Sequence, residues 1–222
     1  MATLSETDRH AIAQLLAQLP NPVTLRFFTQ SIGCETCVDV RQLLNELVRA
    51  SDKIAVEELN VVLDRERAAA YGFDRAPAIA VESGRDTGIR FIGAPLGYEV
   101  SSLIEAIRMT SRDDSGLTDE SRALVATVSR PVHIQVFVTP TCPHCPRAVV
   151  LAHRMALENP HITAACVEAT EFPDLVRQHR VTGVPKTVAI IGGNESAPVE
   201  ILGAVPEAEF VGQIVGAATG EG

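Results

Sequence analysis

Apolar and polar positions alternate over Val23-Thr24-Leu25-Arg26-Phe27-Phe28-Thr29 and again over Val132-His133-Ile134-Gln135-Val136-Phe137-Val138. A period of two predicts a half-buried β-strand in each place. A short loop follows, and the period then lengthens. Leu43, Leu44, Leu47 and Val48 form one apolar stripe at helical spacing, and Ala148, Leu151, Ala152 and Met155 form another. Between each predicted strand and helix stands a Cys-x-x-Cys pair, Cys34/Cys37 and Cys142/Cys145. Further on, two apolar segments are entered through a proline: Ala76-Pro77-Ala78-Ile79-Ala80-Val81 and Val184-Pro185-Lys186-Thr187-Val188-Ala189.

The two series are copies. Cys34 and Cys142 are 108 positions apart, and so are Pro77 and Pro185. Phe91-Ile92-Gly93-Ala94 recurs as Ile201-Leu202-Gly203-Ala204, each followed by an amphipathic segment, Val100 to Met109 and Glu207 to Val215. Upstream, Leu4-Ser5-Glu6 and Leu117-Thr118-Asp119 lead into helices that end before Pro20 and Pro131, with Ser5 and Thr118 as expected N-caps. The polar, breaker-rich run Ser111 to Gly116 reads as a linker, giving units 1–113 and 114–222. A strand, a crossover helix and a further strand imply parallel pairing, and the short link between the last two strands implies a hairpin. The expected fold class is α/β, with each copy a small mixed β-sheet flanked by helices.

With 222 residues, 46% of them hydrophobic, the chain can build cores without disulfide staples. A net charge of -9 leaves no basic footprint for nucleic acid or an anionic membrane, so neither is an expected partner. The N-terminus has no basic n-region or apolar run, and no segment has the ~18 uninterrupted apolar residues of a membrane span, so a cytoplasmic protein is expected. In a reducing compartment, Cys-x-x-Cys pairs do redox or metal chemistry more often than structural bridging. The two pairs lie too far apart in sequence for a compact zinc ribbon, so no metal is expected. Without a glycine-rich dinucleotide fingerprint no cofactor is expected either, and electrons must come from an external reductase, a thioredoxin reductase-like flavoenzyme or glutathione. Cys166, among Ala164, Ala165 and Val167, reads as a small buried hydrophobe. His133, His153, His161 and His179 read as solvated or capping residues.

Thiolate is the reactive form of cysteine, and a helix N-terminus stabilises it. In the second pair Pro143 is expected at the first helical position, and His144 can bring a cation near Cys142; both favour a thiolate there. In the first pair Glu35 puts a carboxylate beside Cys34, which disfavours it. The second pair is therefore expected to be the more oxidising and the faster. Pro146, directly after the motif, is expected to make the first helical turn irregular.

Thr139-Pro140-Thr141-Cys142-Pro143-His144-Cys145-Pro146, followed by Glu171-Phe172-Pro173-Asp174-Leu175 and Gly183-Val184-Pro185-Lys186, resembles the second half of the protein disulfide oxidoreductases, glutaredoxin-like proteins with two tandem thioredoxin folds. The resemblance implies two thioredoxin-like units with Cys142 and Cys34 as nucleophiles and Cys145 and Cys37 as resolving thiols. It also implies cis prolines at Pro185 and Pro77, which face the pairs and offer the backbone of Val184 and Ala76 to an extended, disulfide-containing protein substrate. Two departures stand out. Thr141 and Gly33 occupy the place of the tryptophan that precedes the first cysteine in single-domain thioredoxins, and neither preceding strand carries an obvious buried acid. Arg26 is the one charged residue in its strand core, leaving Glu171 as a candidate acid near the second pair. The expected function is thiol–disulfide exchange on proteins, by reduction, oxidation or isomerisation. The alternatives are a dedicated electron carrier for a peroxiredoxin, and a peptide-binding, chaperone-like module.

Overall fold

A computed structural model describes residues 6–220, so Ser5 lies outside the described residues. The elements run α1 (Glu6–Leu16), β1 (Val23–Thr29), α2 (Cys37–Ala50), β2 (Ile54–Asn60), α3 (Arg65–Ala70), β3 (Ala78–Glu82), β4 (Asp86–Ile92) and α4 (Glu99–Arg112). The same order then repeats as α5 (Asp119–Ala126), β5 (Val132–Val138), α6 (Cys145–Glu158), β6 (Ile162–Glu168), α7 (Pro173–Gln178), β7 (Lys186–Ile191), β8 (Asn194–Leu202) and α8 (Glu207–Thr219). Each half is a thioredoxin fold with an added N-terminal helix. Thr118 caps α5 by accepting a hydrogen bond from the Ser121 N–H.

The eight strands form one continuous sheet, ordered β2-β1-β3-β4-β6-β5-β7-β8. Within each half the first two strands pair in parallel, and the third pairs antiparallel with both the first and the fourth. The halves join where β4 pairs in parallel with β6, Ile89 opposite Ala164 and Ile92 opposite Val167. Following these directions across the sheet, β1, β4, β5 and β6 all point the same way. Both Cys-x-x-Cys pairs therefore sit at the same end of the sheet. Four strand steps separate β1 from β5, about 19 Å at the usual interstrand spacing. Sulfurs that far apart cannot share one zinc ion, whose Zn–S bonds are about 2.3 Å.

Alternate residues of β1 face opposite layers. Arg41 of α2 lies over the Phe27 ring at 5.9 Å, and Tyr71 and Phe73 after α3 cover Phe28 at 5.6 and 5.2 Å. Across the seam, α4 of the first half packs on α6 of the second. The run expected as a linker is partly helix and is packed: Ser111 and Arg112 close α4, Asp113 turns the chain with φ 51°, and Ser111 and Ser115 are buried. Ser111 Oγ accepts from the Asn21 N–H at 3.0 Å and donates to the Asn21 carbonyl at 2.6 Å, tying the end of α4 to the entry of β1.

One histidine contradicts the sequence reading. His153, on the α6 face turned to the seam, is fully buried, with its ring edge-on to Phe91 at 4.9 Å and its Nε2 3.1 Å from the Arg90 carbonyl. His133 is exposed beside Thr163, and His179 is half-buried against Phe137 at 5.4 Å.

Candidate active site

Both pairs are closed as disulfides, Cys34–Cys37 with Cα atoms 5.4 Å apart and Cys142–Cys145 with Cα atoms 5.5 Å apart. In each, the first cysteine lies in the loop before the helix and the second opens the helix, at Cys37 of α2 and Cys145 of α6. This corrects the expected register. Pro143 is an exposed loop residue, His144 is the N-cap, and Pro146 falls in the first turn of α6. A missing N–H in the first turn costs nothing, because that donor has no intrahelical partner, so Pro146 leaves the helix regular. Cys142 is 8% exposed and Cys145 fully buried; Cys34 is half-buried, and Glu35 and His144 are exposed.

The Ala76–Pro77 and Val184–Pro185 peptide bonds are both cis, and each proline directly precedes its strand, β3 or β7. Their surroundings differ. Thr182 and Gly183 are exposed and Val184 is half-buried, so the backbone before Pro185 is open. Ala76 is buried, and its neighbour Arg75 is held by the second half, pairing with Asp174 at 3.0 Å and lying over the Phe172 ring at 5.2 Å.

Glu171, expected near the second pair, makes its side-chain hydrogen bonds to the first half. Its Oε2 accepts a hydrogen bond from the Thr36 hydroxyl, inside Cys-Glu-Thr-Cys, and its Oε1 accepts the Ala94 N–H at 2.6 Å. Burial pushes its carboxyl above the usual range. The continuous sheet explains the placement, since β6 ends beside β4 and so delivers the following loop to the first half.

The acid at the seam is one that motif spacing did not single out. Glu99, at the start of α4, is 1% exposed. Its Oε2 accepts from Ser102 Oγ at 2.6 Å and lies 3.8 Å from the Cys166 thiol, while its Oε1 has no partner. Burial pushes this carboxyl up to about 7, against the two hydrogen bonds that pull it down. It lies close to the second motif: the preceding residue, Tyr98, donates its N–H to the Pro140 carbonyl at 3.0 Å, and a Cβ on Gly97 would collide with that same oxygen. Cys145, Cys166 and the apolar residues of α4 share one core. The available signal was Glu99 standing in the helical stripe of Ser102, Leu103 and Ala106, all buried. Among the described residues no cluster of three or more potential metal ligands occurs, and no helix is long and apolar enough to cross a membrane.

A dithiol that closes into a disulfide without unwinding its helix is the working part of a thiol–disulfide oxidoreductase, and this chain carries two, one on each thioredoxin fold. Comparison with known proteins agrees. A protein disulfide oxidoreductase from Aeropyrum pernix superposes with a TM-score of 0.89 at 31% identity, over 99% of this chain and 96% of that one. The chain belongs to the protein disulfide oxidoreductase family. Residues 132–216 match the thioredoxin domain. The NTD_N/C domain of the alkylhydroperoxide reductase AhpF from Enterococcus faecalis superposes at 0.84 with 26% identity, over 96% of this chain and all of that domain. An alkyl hydroperoxide reductase from Staphylococcus epidermidis is 29% identical over 170 residues, and NADH dehydrogenase from Bacillus subtilis 28% over 152. The aligned part is 30% and 28% of those two curated proteins, so the chain spans less than a third of their length.

Proposed function

We propose that the chain exchanges disulfides with protein substrates as two units, 1–113 and 114–222, with Cys142 as principal nucleophile. The observation that carries this is the pairing of the Cys142–Cys145 disulfide with an open backbone at Thr182 to Val184, against which an extended substrate segment can add as a strand. The matching edge at Ala76–Pro77 is covered by Arg75 and the second half, so the first pair has less room for an extended chain.

In the reducing direction the Cys142 thiolate attacks one sulfur of a substrate disulfide. A mixed disulfide forms and one substrate thiolate leaves, taking a proton from water. Cys145 then attacks Cys142 Sγ, the second substrate thiolate leaves, and the Cys142–Cys145 disulfide is restored. Cys145 must lose a proton to attack, and we assign that proton to Glu99, a buried carboxyl pushed up to about 7 with a free oxygen, on the helix whose start is hydrogen-bonded to Pro140 beside the second motif. Two electrons and two protons pass to the substrate. Cys34 and Cys37 perform the same exchange at the first site, and an external reductase, a flavoenzyme or glutathione, returns the electrons.

The test is trapping. Cys145→Ser leaves the mixed disulfide on Cys142 unresolved, so a disulfide-containing protein should be captured covalently and released by dithiothreitol. No adduct with Cys145→Ser or Cys37→Ser would favour the peptide-binding reading. The end-to-end match to the AhpF domain favours one second reading, that the external partner is a peroxiredoxin receiving electrons. Peroxide consumption by a peroxiredoxin that depends on Cys142 would establish it.

A further inference from the structure

A segment of the second half, Glu171-Phe172-Pro173-Asp174, packs on the first half beside its motif through three contacts. Glu171 accepts the Thr36 hydroxyl between Cys34 and Cys37, Phe172 lies under Arg75, and Asp174 pairs with Arg75 one residue before Ala76-Pro77. The repeat-equivalent loop of the first half carries Val62 and Leu63, which are 66% and 84% exposed. It follows β2, at the free edge of the sheet, and has no neighbouring half to reach.

Thr36 is the N-cap residue of α2, yet its side chain makes no cap bond to its own helix. Its hydroxyl is directed to Glu171 instead. Both Glu171 oxygens act as acceptors, from Thr36 and from the Ala94 N–H, an arrangement that suits an ionised carboxylate. A negative charge at the entrance of α2 offsets the helix dipole that would stabilise a thiolate at Cys34.

The geometry points to Glu171 as a positioning residue for the other half's active site: it holds Thr36 and lowers the reduction potential of Cys34–Cys37. The second half thereby makes the first site a stronger reductant than its own half alone would. This inference rests on the reading of both pairs as redox-active.

The couple is Cys34–Cys37 disulfide plus two electrons and two protons giving the dithiol. It is read in the full chain carrying Cys142→Ser and Cys145→Ser, equilibrated at pH 7.5 in glutathione buffers and quenched by alkylation. Glu171→Gln removes the charge while an amide oxygen still accepts from Thr36. The expected result is a shift of roughly tenfold in the equilibrium constant toward the dithiol, about 30 mV less negative, together with faster alkylation of Cys34. Asp174→Asn loosens the same segment without touching that carboxylate, and should leave the constant where it was. An unchanged constant in Glu171→Gln, or equal shifts in the two variants, would overturn the inference. A first pair that fails to equilibrate reversibly in any variant would overturn the redox reading of that site itself.

Discussion

The Cys166 thiol lies 3.8 Å from Glu99 Oε2, across the seam between the two halves. One partner comes from the first half's α4 and the other from the second half's β6, so a carboxyl from one unit is buried against a strand of the other. Glu99→Gln keeps the shape and removes the proton acceptor. The rate of mixed-disulfide resolution by Cys145 should fall by roughly ten- to a hundredfold, and its pH dependence near 7 should disappear, while trapping on Cys142 continues. Stopped-flow kinetics across pH 5 to 9 checks this, and resolution at the wild-type rate would remove Glu99 from the mechanism.

Stability should respond to pH through two buried groups of opposite sign. Glu99, raised from 4.5 to about 7, contributes stability that is present in full below 4.5 and lost as pH rises through 7. His153 is lowered from 6.5 to about 4, chiefly by burial, so its contribution is present in full above 6.5 and lost as pH falls through 4. Each amounts to about 3 kcal/mol at most. Between pH 4.5 and 6.5 the two slopes offset one another. Urea titrations should show stability climbing with pH over that range in Glu99→Gln and falling in His153→Leu. Parallel curves for both variants and the wild type would refute the assignment.

Cys166 should count separately from the other four cysteines. Burial and the neighbouring Glu99 push its thiol well up, and it is 3% exposed. Without reductant the native protein should give no thiol to an alkylating agent and the denatured protein one, Cys166, because the other four are held in the two disulfides. Mass spectrometry of the alkylated chain decides, and rapid labelling of Cys166 in the native protein would contradict its burial.

Repeat-equivalent glycines should differ in cost. Gly93 and Gly203 both have positive φ, 92° and 79°. A Cβ on Gly93 would stand 2.6 Å from Glu168 Cβ, while one on Gly203 meets nothing within 4 Å. Gly203→Ala should cost about 1 kcal/mol for the backbone alone, and Gly93→Ala about 3 kcal/mol through the added overlap at the seam. Chemical denaturation of the two variants checks the difference, and equal losses would mean the seam is not tightly packed.

What could be read from the chain was what repeats. The period of two in β1 and β5, the stripe after each Cys-x-x-Cys and the shared spacing to Pro77 and Pro185 were visible because each depends on residues close in sequence. The seam was not. The β4–β6 pairing joins two strands that each read as an ordinary member of its own small sheet, and no local pattern says which edges meet. Apart from the helix register at Pro143 and Pro146, the residues misread or passed over lie on that seam. His153 looked solvated because its burial comes from the other half; Glu171 looked like a neighbour of the second pair because the loop carrying it follows β6; Glu99 looked like one more acid at a helix start.

The central claim is that each Cys-x-x-Cys pair carries two electrons to a protein disulfide. The most direct measurement is a single-turnover assay in which the fully reduced chain, freed of reductant, meets excess protein disulfide, and substrate thiols are counted. The wild type should release four thiols per chain, Cys34→Ala/Cys37→Ala and Cys142→Ala/Cys145→Ala two each, with the faster phase lost in the latter, and the fourfold variant none. A wild-type dithiol form that leaves the substrate disulfide intact, or a fourfold variant that reduces it equally well, would contradict the account.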